Sequence, residues 1–100
     1  MRELEFATPA PRDLERINAE SEATWGPVQR QRYMADLELR IGRLREHPEL
    51  AKPAKDRPDL RRLIVGPHAV FYEFDESCVR IIRVLHQGMD APRHLGRIDR

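Results

Sequence analysis

The sequence predicts a two-layer α+β domain: one strand, an antiparallel helical hairpin, then a three-stranded antiparallel sheet. Three observations carry this. Residues 2–6 alternate polar and apolar side chains, the period of a half-buried strand. Residues 9–46 hold two apolar stripes at 3/4 spacing, interrupted at Gly26-Pro27, the pattern of two amphipathic helices joined by a tight turn. From residue 60 onward, three runs rich in Val, Ile, Leu and Phe are separated by short turn sequences, which marks antiparallel neighbours. Helices gathered ahead of the sheet, rather than alternating with its strands, give one helical layer on one sheet face.

Each element has a local cause. Leu4 and Phe6 are the apolar positions of the first strand, interleaved with Glu3 and Glu5. Thr8-Pro9 reads as a helix start, with Thr8 as N-cap and Pro9 at the first helical position. Asp13 and Glu15 sit near that N-terminus, where the helix dipole favours anions. Ala10, Leu14, Ile17 and Ser21 form the buried stripe. Gly26 can end this helix in a left-handed conformation, and Pro27 can open the next. The second stripe is Tyr33 or Met34, then Leu37, Ile41 and Leu44. His47-Pro48 stops it, because a residue before proline avoids the helical region. Residues 48–59 read as a basic loop punctuated by Pro48, Pro53 and Pro58. The strands are expected at 60–65, 68–74 and 78–85, turning at Gly66-Pro67 and at Asp75-Glu76-Ser77. Residues 86–100 read as a polar tail with a one-turn helix N-capped by Asp90.

Length and composition bound the possibilities. The chain has 100 residues, a single domain spanning 1–100. Such a chain buries roughly 60–70% of its unfolded surface, enough for one sheet and one helical layer. Its longest apolar runs, 63–65 and 69–72, fall far short of the ~20 residues that cross a bilayer, so no membrane partner is expected. Arg2, Glu3 and Glu5 stand where the apolar segment of a secretion signal would begin. The single cysteine, Cys78, makes no internal disulfide. The expected compartment is the cytoplasm. A net charge of +1 argues against general nucleic-acid binding. Of the 18 basic residues, all but Lys52 and Lys55 are Arg, the side chain best shaped for bidentate contact with carboxylate or phosphate.

His47, His68, His86 and His94 lack the spacing of zinc ligands, and Cys78 has no second cysteine, so no metal site is assigned. Glycines lie scattered at turns, with no phosphate-cradling loop, and no cofactor is expected. Groups able to move protons or hold phosphate near the sheet are His68, Tyr72, Glu73, Arg83 and His86, with Arg62 and Arg80. Their spacing marks no acid–base pair, so Tyr72 and the arginines read in the first place as core filler and strand-edge charges. No catalytic residue is assigned. Trp25 reads as a plug seating the hairpin end on the sheet, or as an exposed contact. The sheet faces say more. Val70, Tyr72 and Phe74 oppose Ala69 and Phe71, while Val79, Ile81 and Leu85 oppose Ile82 and Val84. Both faces are apolar and helices cover only one. The other calls for the tail, a second copy or a partner.

Four blocks in order give the chain a family likeness. They are Thr8-Pro9 with Asp13-Leu14; Thr24-Trp25-Gly26-Pro27 followed by Gln29 and Tyr33; the stretch 60–72; and Arg83-Val84-Leu85-His86-Gln87-Gly88-Met89-Asp90 with His94-Leu95. Together they cover almost the whole chain, which resembles the ParE toxins of the RelE/ParE toxin–antitoxin superfamily. The resemblance implies a two-layer RelE/ParE-like fold and a type II system. In such a system a ParD-like antitoxin wraps the toxin in a hetero-oligomer, and the toxin inhibits DNA gyrase by binding it. No catalysis and no sequence-specific nucleic-acid binding is implied. The expected antitoxin contacts are Val70, Tyr72, Ile82 and Val84. The expected target contacts are Arg83, His86, Met89, Asp90, Arg93 and Leu95. RelE-like relatives are instead ribosome-dependent mRNA endonucleases that use basic clusters, to which Lys52 and Lys55 could contribute. A member reduced to antitoxin binding is a third possibility. The closing block is of the ParE kind, which favours gyrase. Two departures stand out: residues 48–59 lack a glycine often found there, and the tail ends in the charged run Gly96-Arg97-Ile98-Asp99-Arg100.

Overall fold

A computed structural model describes residues 1–89, 94 and 95. Strand β1 (Glu3–Phe6) leads into helix α1 (Pro9–Arg43) and a short 3-10 turn (Pro48–Leu50). Strands β2 (Lys52–Pro53), β3 (Arg61–Val65), β4 (His68–Phe74) and β5 (Cys78–His86) follow. The five strands form one sheet in the order β1-β5-β4-β3-β2. β1 runs parallel to β5, from Glu3 opposite Cys78 to Phe6 opposite Ile81. The other pairs are antiparallel. The α+β class is as expected, and the sheet is wider than the three strands expected. The basic loop contributes β2, whose Pro53, lacking an N–H, suits an edge.

α1 breaks at Gly26, where φ is 83° and ψ is 170°. Positive φ with extended ψ is open essentially to glycine alone, so this residue divides the helix into two limbs. The first limb carries Asp13 past Arg83 of β5. The second brings Tyr33 to Val65, and just past its end Arg45 donates to the Arg2 carbonyl. The limbs therefore run antiparallel, as the short turn requires. Thr8 holds the N-cap position but has helical dihedrals and makes no side-chain cap bond. The expected Thr8 cap is absent because the chain already turns at Ala7, whose carbonyl accepts the Ala10 N–H at 2.9 Å.

The limbs bury their stripes on one sheet face. Ala10, Ile17, Leu37, Ile41 and Leu44 pack against Val65, Val70, Tyr72, Val79, Ile81 and Val84. Each large aliphatic side chain buried there contributes about 1.5–3 kcal/mol. The opposite face carries a second core of Ala69, Phe71, Ile82 and Leu85. It is covered by Ala7, by Ala54 and Leu60 of the segment before β3, and by Leu95, with Met89 packed at its side. Leu95 of the tail and the loop before β3 cover much of the face that the sequence leaves open.

One feature inverts the expected pattern in β5. Phe71 lies opposite Arg83, but Tyr72 lies opposite Ile81, so Ile82 is an extra residue. This β-bulge puts two residues against one and restarts the alternation. Val84 consequently joins Val79 and Ile81 under the helices, and Leu85 joins Ile82 on the far face. The strict alternation expected for this strand fails at the bulge.

Candidate functional site

Where the first limb of α1 crosses β5, a buried ion pair locks the two together. Arg83 donates from Nε to Asp13 Oδ2 at 2.7 Å and from Nη2 to Asp13 Oδ1 at 2.8 Å. The same carboxylate accepts the Val84 N–H, beside the bulge, at 3.0 Å. The Asp13 side chain is 2% exposed and that of Arg83 14%. Two parallel charge-assisted bonds of this length are the strong form of the interaction. Asp13 thus serves the sheet and not the helix dipole. Its position between Ala10 and Ile17 at 3/4 spacing is the signal that places it on the buried stripe, where an acid must be paired.

Beside this pair lies a histidine cluster. The Tyr33 hydroxyl donates to the Val65 carbonyl at 2.8 Å, and His68 Nδ1 lies 2.6 Å from the same hydroxyl. With the tyrosine proton committed to Val65, His68 donates from Nδ1 and keeps a lone pair on Nε2. Burial, the largest influence, and the neighbouring His86 both hold the His68 pKa below its ordinary value. Burial, with Asp36 adding to it, pushes the Tyr33 hydroxyl up to about 12. His86 shows the opposite tautomer: its Nδ1 accepts the Gly88 N–H at 3.0 Å, which leaves the proton on Nε2. The two imidazoles meet edge to face, 5.8 Å between centroids. They line a cleft of about 350 Å³ together with Arg16, Glu20 and Met89. A lone pair on one ring and an N–H on the other set an acceptor and a donor side by side.

The expected target contacts are dispersed. Arg83 is held by Asp13, Leu95 is 2% exposed, and Met89 is half-buried against the second core. His86 is exposed. Asp90 and Arg93 lie outside the described residues. The expected antitoxin contacts Val70, Tyr72, Ile82 and Val84 are each at most 2% exposed. The first two and Val84 lie under α1, and Ile82 lies under the loop and tail. A partner reaches none of them without displacing the chain's own covering, so that placement is corrected: the bulge and Leu95 use these positions for the core. Of the candidates, His68 and His86 share one cleft, and Glu73 stands opposite Arg80 across the β4–β5 ladder. Tyr72 donates to the Pro48 carbonyl at 2.6 Å inside the core, and Glu73 lines a pocket with Asp59, Arg61 and Phe74 instead. Trp25 is 43% exposed and rests edge-on against Tyr33, 5.5 Å between centroids.

Arg57 is a positioning residue without a motif of its own. It clasps Asp59 with two 2.9 Å bonds and donates from Nη1 to the Leu95 carbonyl at 2.6 Å. An isolated loop arginine gives no sequence signal that its acceptor is a carbonyl of the tail.

Comparison with known proteins accounts for this architecture. A family model described as the ParE toxin of a type II toxin–antitoxin system, parDE, matches residues 4–91. The chain is 39% identical over 97 residues to Toxin ParE1 of Caulobacter vibrioides, covering 96% of this chain and 100% of that one. It is 36% identical over 73 residues to Toxin ParE1 of Mycobacterium tuberculosis, covering 71% and 74%. A chain from the chromosomal ParDE system of P. aeruginosa shares the fold at a TM-score of 0.76 and 19% identity, over 86% of this chain and 96% of that chain. A chain from the RelBE2 toxin–antitoxin complex of Mycobacterium tuberculosis superposes at 0.61 with 25% identity, over 86% and 98%. Matched from Leu4 to residue 91 by the family model, and end to end with a relative at 39% identity, the chain belongs to the ParE toxin family of type II toxin–antitoxin systems.

Proposed function

We propose that this toxin inhibits DNA gyrase by direct, non-catalytic binding in the cytoplasm and is neutralised in a hetero-oligomer by a ParD-like antitoxin. The observation that carries the reading is the ParE match, which extends through the closing block to residue 91. The arrangement of that block supports it. Arg83, clamped by Asp13, fixes the end of β5 and so presents the exposed His86 and the turn after it as a rigid contact. In this reading His86 and Met89, with Asp90 and Arg93, touch the target, while Arg83 is tied to Asp13 and Leu95 to the second core. Purified toxin at micromolar concentration, added to gyrase, DNA and ATP, should reduce supercoiling and accumulate enzyme-linked cleaved DNA. Unaffected supercoiling alongside stalled translation in extracts overturns the assignment.

One observation favours a second reading, a ribosome-dependent ribonuclease. His68 and His86 share a cleft with Arg16, in complementary tautomers. Under that reading, mRNA cleavage on ribosomes follows a bell-shaped pH profile and is lost in a His68→Gln, His86→Gln variant that still folds. A lone gene that arrests neither replication nor translation marks a member reduced to antitoxin binding.

A further inference from the structure

The covering of the second sheet face stops short at its β2–β3 edge. Arg62 pairs with Phe71 and Ile64 with Ala69, and Phe71 and Ala69 belong to the second core, so Arg62 and Ile64 stand on that same face. Ile64 is 37% exposed there. Between it and the tail runs a groove of about 610 Å³, floored by Ala54, Ile64, Phe71, Met89 and Leu95. Lys52, Lys55, Arg57 and Arg62 ring it, with Asp56 as the acid of the rim.

Two features of that rim ask for an external anion. Lys52 lies directly opposite Arg62 across the β2–β3 ladder, and like charges in that position are destabilising. Arg57 is committed to Asp59 and the tail, but the side chains of Lys52, Lys55 and Arg62 have no hydrogen-bonded or ion-pair partner among the described residues. The chain as a whole carries only +1, so the positive charge here is concentrated, not general.

We propose that this groove binds an acidic, amphipathic peptide segment, its apolar side chains on Ile64 and Met89 and its carboxylates on Lys52, Lys55 and Arg62. The assignment rests on the antitoxin reading above and names the surface that the antitoxin occupies. A peptide is favoured over a nucleic acid because the floor is aliphatic. Its one aromatic ring, Phe71, is 2% exposed and offers no face for a base to stack on, which is where single strands gain much of their affinity.

The test uses the full toxin and the antitoxin encoded with it, with affinity measured by titration calorimetry at low and high salt. Lys52→Glu, Lys55→Glu, Arg62→Glu together should weaken binding at least 100-fold and flatten its salt dependence. Ile64→Glu alone should weaken it at least 10-fold. Both variants should melt within a few degrees of wild type, since the altered side chains are exposed. A control reversing Arg12, Arg32 and Arg43 on the helical limbs makes the same change in net charge and should leave affinity within a few-fold. Wild-type affinity in the groove variants sinks the proposal, as does an equal loss in the control. So does tight binding of a single-stranded oligonucleotide that the groove reversals abolish while antitoxin binding persists. Failure of wild-type toxin to bind the antitoxin at all is a different result: it removes the antitoxin reading itself.

Discussion

The environment of His68 ties the protein's stability to acid. It lies 5% exposed between Tyr33, His86 and the Glu20 side of the cleft. Its native pKa is held below the ordinary 6.5, so the folded state resists a proton that the unfolded chain accepts. The stabilisation is complete above about pH 6.5 and drains away as pH falls from there through the lower native value. Urea midpoints should therefore decline between pH 7.5 and 5. His68→Asn keeps a donor where Nδ1–H stands but cannot titrate, and its decline should be shallower by the His68 share. Tyr33→Phe should cost about 1–3 kcal/mol at pH 7.5, because it leaves the His68 Nδ1–H buried without an acceptor. Equal pH slopes in wild type and His68→Asn would assign the acid sensitivity elsewhere. Little of this was legible beforehand: four histidines in a sequence announce neither burial nor tautomer, and the Tyr33–His68 contact joins positions 35 apart.

At the scale of elements, the helical hairpin is attached by one polar bolt as well as by its apolar stripes. Asp13→Ala leaves Arg83 charged and mostly buried, and also strips the Val84 N–H of its acceptor. Breaking a buried pair from one side costs about 3–5 kcal/mol. Replacing both partners together, as Asp13→Leu with Arg83→Met, should recover a substantial part of that loss in chemical denaturation. If the single and double variants are equally unstable, packing rather than charge explains the site. The hairpin itself was readable, since Gly26-Pro27 and two apolar stripes allow little else. The positive φ expected at Gly26 is present, with an extended ψ in place of a left-handed one. The strand His68–Phe74 was readable for the same reason, its alternation being unbroken. β5 was readable in extent but not in facing, because a bulge is a tertiary event. It forms where Asp13 from another element takes a backbone N–H, and no period within the strand encodes that.

For the molecule as a whole, Leu95 makes its part of the tail a piece of the core. Leu95 is fully buried against Phe71, Ile82 and Leu85, and its carbonyl is gripped by Arg57. Leu95→Ala should destabilise the fold by about 2–5 kcal/mol, the range for emptying a buried leucine site. Cutting the chain after Asp90 should lower its melting temperature further still. A truncated chain that melts like wild type would make the tail a free arm. The sequence hid this because an isolated leucine among charged residues carries no periodicity. A demand for cover on the second sheet face was plain, but which segment met it was not. The parallel pairing of β1 with β5 has a consequence in time. Glu3 must find Cys78, so on the ribosome β1 waits for β5. Chains emerge at roughly 5–20 residues per second, and throughout that wait both helical limbs hang on an unfinished sheet. A chain still lacking β5 has neither the Asp13–Arg83 clamp nor the second core; the fold closes only when that strand has cleared the exit tunnel.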